Sequence, residues 1–214
     1  MSNSVVEKKF KTFVTTAYVF SFIILALFAI ALLATIVAGV VLFFIPQETI
    51  NGLLTRIPAE VSYEANGVSL QITDSFIESL TLEKLPIFYV LLASFINVGV
   101  ATFIIFLVNR WLHNLKSGDV FAQKNSRFIE SIGFAFVALG FLSGLGDLAM
   151  QHLMNSVLGS AEEIFEMTNK FIYSGNSLNY SIDLTLLFTG LLIWIIGRVF
   201  KYGTFLQNEF DATV

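Results

Sequence analysis

From Thr12 to Gln47 the chain carries no charged side chain, an unbroken run of 36 residues. In hydrocarbon no water is at hand to satisfy backbone N–H and C=O groups, so a lipid-embedded segment has to close its own hydrogen bonds. A helix of about 20 residues already crosses roughly 30 Å of hydrocarbon, and the first helix is therefore expected to tilt or to protrude. A cleavable signal peptide has an apolar core of only about 7–15 residues. The run reads instead as an uncleaved anchor.

Three more apolar stretches follow, and the composition agrees with them. The chain is 56% hydrophobic and 13% charged, against about 25% charged residues in soluble domains. The fold class expected is an all-α integral membrane protein, a four-transmembrane-helix bundle forming one membrane domain over residues 1–214, with spans at about 13–45, 85–108, 129–152 and 182–201. The last span has only fourteen uncharged residues, Leu184–Gly197, and the snorkelling stems of Arg198 and Lys201 make up its length.

Charge orients these spans. Lys8, Lys9, Lys11, Arg110, Lys116, Lys124, Arg127, Arg198 and Lys201 fall on one side, and only Arg56, Lys84 and Lys170 on the other. The positive-inside rule then puts both termini, the loop 109–128 and the tail 202–214 in the cytoplasm. Residues 46–84 and 153–181 are external. Within the first external segment, Val61–Ile72 alternates around Asn66-Gly67, a strong two-residue turn signal, so a small β-hairpin is expected there. Asp74–Glu83 reads as a short amphipathic helix leading into Leu85-Pro86.

Reactive groups are sparse. With no Cys and two His, thiolate chemistry and a His-rich metal site are excluded, because His113 and His152 lie at opposite membrane faces. No catalytic, cofactor-binding or metal-binding residue is expected. Gly140-Phe-Leu-Ser143-Gly144 superficially resembles a nucleophile loop, but its spacing is wrong and no histidine in another span can act as base. Glycine-rich phosphate loops are absent, and the basic segments lack the clustering of a nucleic-acid or lipid-charge binder. Asp147 is the one carboxylate inside a plausible span, and such acids are candidate functional groups; its depth favours an interfacial position. Gly140 and Gly144 form a small-xxx-small pair, read as intramolecular packing, with self-association left open.

Two cytoplasmic stretches look like something known. Lys116-Ser-Gly118-Asp-Val-Phe121-Ala-Gln-Lys-Asn125-Ser-Arg127 followed by Ile132-Gly133, and Arg198-Val-Phe200-Lys-Tyr-Gly203-Thr-Phe-Leu206-Gln207-Asn-Glu209-Phe-Asp211-Ala-Thr213-Val214, resemble the loop and closing patterns of a bacterial family catalogued as a domain of unknown function. Val120 stands where that family has Pro, and Ala122 where a Ser or Thr would cap the third helix. The resemblance implies a four-span protein of the bacterial inner membrane, often encoded beside small helix-turn-helix regulators. It therefore implies a sensing or regulatory protein without catalytic activity, docking a cytoplasmic partner such as a helix-turn-helix regulator through Gly118, Phe121, Asn125, Arg127, Gly203, Leu206, Gln207, Glu209, Asp211 and Thr213. A small transporter, or an immunity or stress protein acting through the bundle, is the alternative.

Overall fold

The computed structural model describes residues 3–54, 62–65, 68–71, 80–118, 122–159 and 179–212. Helix α1 (Asn3–Phe44) is a single element of 42 residues, about 63 Å long at 1.5 Å per residue. Phe13, Phe20, Phe22, Leu27, Ile30 and Phe44 stand exposed along it, as befits a helix that is apolar all round and has lipid for solvent. Ile45 closes its hydrogen-bond ladder by donating to the Val41 carbonyl at 3.1 Å. Pro46 follows, and a residue preceding proline is disfavoured in helical geometry. After α2 (Gln47–Leu54), strands β1 (Ser62–Ala65) and β2 (Val68–Gln71) pair antiparallel with Ala65 opposite Val68. The Asn66-Gly67 link lies outside the described residues. Helices α3 (Lys84–Lys116), α4 (Gln123–Leu142), α5 (Gly144–Gly159) and α6 (Leu184–Ala212) complete the chain.

Four helical stretches are long and apolar enough to cross a membrane: Glu7–Phe44, Lys84–Lys116, Gln123–Val157 and Leu184–Gln207. The chain is a multi-pass membrane protein. Its helices outrun the spans expected from hydropathy, however. Helix α3 continues past residue 108 to Lys116, as the glycine after Lys116-Ser117 leads one to expect, whereas α4 begins at Gln123 rather than 129 and the stretch read as a polar tail from Tyr202 is helical to Ala212. Charge ends a hydrophobic run without ending a helix, since Lys, Arg, Gln and Glu are good helix formers. The amphipathic helix expected over Asp74–Glu83 lies outside the described residues as far as Ser79, and Leu80–Glu83 are not helical.

Contacts within the chain fall into two compact units. One comprises residues 1–34, 95–144 and 181–214. Its core is built by Ile104 and Leu107 of α3 against Ile132 and Ala135 of α4, with Val100, Phe128, Phe136 and Ile193 packed around them. Among the described residues, α4 and α6 make the most extensive backbone approach of any two helices. Glycine permits it: in antiparallel register Gly133 faces Trp194, Gly140 faces Leu187, Gly190 faces Val137 and Gly197 faces Glu130. Each helix thus brings two glycines seven residues apart to one seam, and small residues are what let helix backbones close up in lipid.

The third span is interrupted at Ser143. The Gly140 carbonyl, which in a continuous helix would accept from residue 144, accepts the Ser143 hydroxyl at 3.0 Å and the Asp183 N–H at 3.1 Å. Groups inserted into the ladder are a recognised cause of helix breaks. Asp183 then caps α6, its Oδ1 accepting the Leu186 N–H at 3.1 Å, as an N-cap side chain does three residues into a helix.

The second unit comprises residues 35–94 and 145–180. Here amide side chains tie chain to helices. Asn51 Oδ1 accepts the Leu82 N–H at 3.1 Å, and Gln47 Nε2 donates to the Leu82 carbonyl. Gln151 repeats the device, donating to the Asn179 carbonyl at 3.0 Å and accepting the Asn179 N–H at 2.8 Å. Ring contacts between Phe43 and Phe88 (5.6 Å) and between Tyr89 and His152 (5.6 Å) pack the same unit.

Candidate functional site

The described docking candidates lie at the turn between α3 and α4 and at the far end of α6, within the first unit, whereas Asp147 belongs to the second. Helix α3 stops because Gly118 adopts φ 97°, with its N–H bonded to the Leu115 carbonyl at 3.2 Å. Left-handed geometry is the usual way to end a helix and favours glycine there. No atom lies within 4 Å of where a Gly118 Cβ would be, so Gly118→Ala should cost only the backbone strain, about 1 kcal/mol. A thermal-unfolding midpoint unchanged by that exchange would contradict this account.

Asn125 is 1% exposed, and its Oδ1 accepts the Asn114 Nδ2 at 3.1 Å, so α3 and α4 are laced together beneath the turn. Ser126, equally buried, bonds the Gln123 carbonyl through its hydroxyl at 2.9 Å. On the other side of α3, Tyr18 of α1 stacks against His113 at 5.7 Å and lies under the Lys116 ammonium at 5.3 Å. Ala122 occupies the N-cap of α4 and contributes no side-chain bond. The cap that a Ser or Thr would provide, worth about 1 kcal/mol, is missing.

Beside this uncapped end, α6 presents Arg198 and Lys201. The Arg198 Nε lies 3.4 Å from Glu130 Oε1, and its guanidinium sits 5.2 Å over the Trp194 ring. Glu130 is nearly buried, with a side-chain exposure of 14%, and Oε1 has no hydrogen-bond partner among the described residues. Gln123, Arg198, Lys201, Tyr202, Thr204 and Phe205 line an open cavity of about 370 Å³. Thr204 forms its buried floor, its hydroxyl bonded to the Phe200 carbonyl at 2.9 Å, while Tyr202 and Phe205 stand exposed at its rim.

The candidate docking residues thus divide by role. Arg127, Gly203, Leu206, Gln207 and Glu209 are exposed on α4 and α6. Gly118 and Asn125 shape the turn from within. Phe121 and Thr213 lie outside the described residues, and Asp211 is described only as helical backbone. Asp147 is exposed in the first turn of α5. Among the described residues, no three potential metal ligands come together.

Sequence reasoning missed the Glu130–Arg198 pair, the Gly190 and Gly197 half of the helix seam, and the Asp183 cap. Only the last had a local signal, an acidic residue directly before an apolar run. No family model, curated protein or solved structure matches the chain. Fold and site together define a class: a multi-pass helical membrane protein in which a glycine-seamed helix pair supports a basic, aromatic-rimmed surface.

Proposed function

We propose that this is a bacterial inner-membrane protein with both termini in the cytoplasm, a regulatory or sensing component that docks a cytoplasmic protein such as a helix-turn-helix regulator and has no catalytic activity of its own. The observation that carries this reading is the length of α6. Its 29 residues exceed the roughly 20 that cross the hydrocarbon core, so its C-terminal turns reach past the hydrocarbon with Tyr202, Phe205 and Leu206 exposed. Aromatic and aliphatic groups held on a rigid helix, beside the exposed cations Lys124 and Arg127, suit capture of a partner better than solvation alone.

Charge supports the orientation. Lys8, Lys9, Lys11, Arg110, Lys116, Lys124, Arg127, Arg198 and Lys201 all belong to the first unit, whereas Lys84 belongs to the second. The exposed position of Asp147 favours docking over ion-coupled transport, which needs an acid facing the interior of the bundle. Deleting Leu206–Val214 should remove the partner from affinity-purified complexes while leaving the protein folded in the membrane. An unchanged set of co-purifying proteins would refute the docking role.

A further inference from the structure

We infer that the cavity between α6 and the start of α4 binds the phosphate headgroup of an anionic phospholipid. Two cations converge on it, Arg198 and Lys201, with Gln123 as a polar wall, and its volume of about 370 Å³ falls among small-ligand sites of roughly 300–1,000 Å³. Lys201 is half-buried and forms no ion pair among the described residues. Arg198 remains 54% exposed despite Glu130, so its guanidinium is accessible to a second anion. A free phosphate would satisfy the same cations, and what selects lipid is the rest of the helix face. Residues 191, 195, 198, 202 and 205 follow one another at spacings of three or four, which puts them on one side of α6. Leu191 and Ile195 on that side are 47% and 50% exposed. An acyl chain lying along them would leave its phosphate at Arg198 and Lys201, with Tyr202 and Phe205 beyond it at the interface, where aromatic rings are at home. Basic pockets between spanning helices are suited to such headgroups.

This inference requires only that α6 cross the bilayer and is independent of partner docking. The test is native mass spectrometry of the full-length protein in non-ionic detergent, titrated with dioleoyl phosphatidylglycerol or dioleoyl phosphatidylcholine. Each basic side chain should favour the anionic lipid by roughly fivefold. Phosphatidylglycerol should therefore outcompete phosphatidylcholine by about twenty-fivefold, Lys201→Gln should lower its retention about fivefold, and Lys201→Arg should restore it. Arg110, exposed on α3 and lying over the Phe106 ring at 5.5 Å, serves as control, and Arg110→Gln should leave retention unchanged. Lipid binding at the site can be followed separately through Trp194, whose ring lies 5.2 Å from the Arg198 guanidinium. In the Trp111→Phe protein it is the sole tryptophan, and its emission should shift with phosphatidylglycerol as Arg198 is drawn from its ring. Equal retention of both lipids, an equal loss from Arg110→Gln, displacement of lipid by millimolar inorganic phosphate, or preference for a short polyglutamate peptide over lipid would each overturn the assignment.

Discussion

Exchanging Gly190 for alanine is expected to lower the unfolding midpoint in detergent, while the same exchange at Gly203, further along the same helix, raises it. A Cβ at Gly190 would lie 2.7 Å from the Gly133 carbonyl oxygen and 2.8 Å from the Val137 amide nitrogen. Both are backbone atoms and cannot rotate away, so α4 and α6 have to separate. Overpacking of this kind costs about 1–3 kcal/mol. At Gly203 nothing lies within 4 Å, and replacing glycine by alanine inside a helix gains about 0.8–1 kcal/mol. Helix propensity favours alanine at both positions, so the opposite sign at Gly190 isolates the seam. If both exchanges shift the midpoint in the same direction, the close approach of α4 and α6 is not what holds this unit together.

Removing Arg198 should have the second large effect. The Glu130 carboxylate is nearly buried, its Oε1 lacks a hydrogen bond among the described residues, and Arg198 at 3.4 Å is its counter-ion. Breaking a fully buried pair costs about 3–5 kcal/mol, whereas exposed pairs contribute about 0–1 kcal/mol. Arg198 is 54% exposed, so Arg198→Gln should cost about 2 kcal/mol, between those limits. Glu130→Gln introduced alongside should recover most of the loss, because the stranded charge disappears with its partner. The four proteins of this cycle, unfolded thermally in the same zwitterionic detergent, give the coupling directly. Strictly additive effects would mean that the two side chains are neighbours without being partners.

What could be read from the sequence was what depends on composition along the chain. The four spans follow from runs of uncharged residues, and the end of α3 from a glycine directly after Lys116-Ser117. The missing cap on α4 follows from Ala122 standing where a hydroxyl would serve. Features that depend on two distant segments meeting stayed hidden. Gly133 and Gly140 are ordinary in an apolar helix until Gly190 and Gly197 are found opposite them. Glu130 and Arg198 each read as a boundary charge because nothing local announces a pairing across 68 positions. The break at Ser143 has the same origin, since its cause is the Asp183 N–H arriving from another helix. Among the docking candidates, Gly118 and Asn125 belong to a sequence pattern that is partly structural: one ends a helix by its φ, and the other is buried under the turn.

The amide clamps at Gln47, Asn51 and Gln151 bear on how this protein tolerates its surroundings. They fasten the chain at Leu82 and Asn179 to helices α2 and α5 by neutral groups that neither titrate nor oxidise. Proteins exposed to an oxidising compartment commonly rely on disulfides for such fastening, and this chain has no cysteine. Carboxylate or histidine fasteners would loosen as protons come and go. Attachment through carboxamides makes these junctions indifferent to acidity and redox potential alike, so a change in either would leave Leu82 and Asn179 fastened as before.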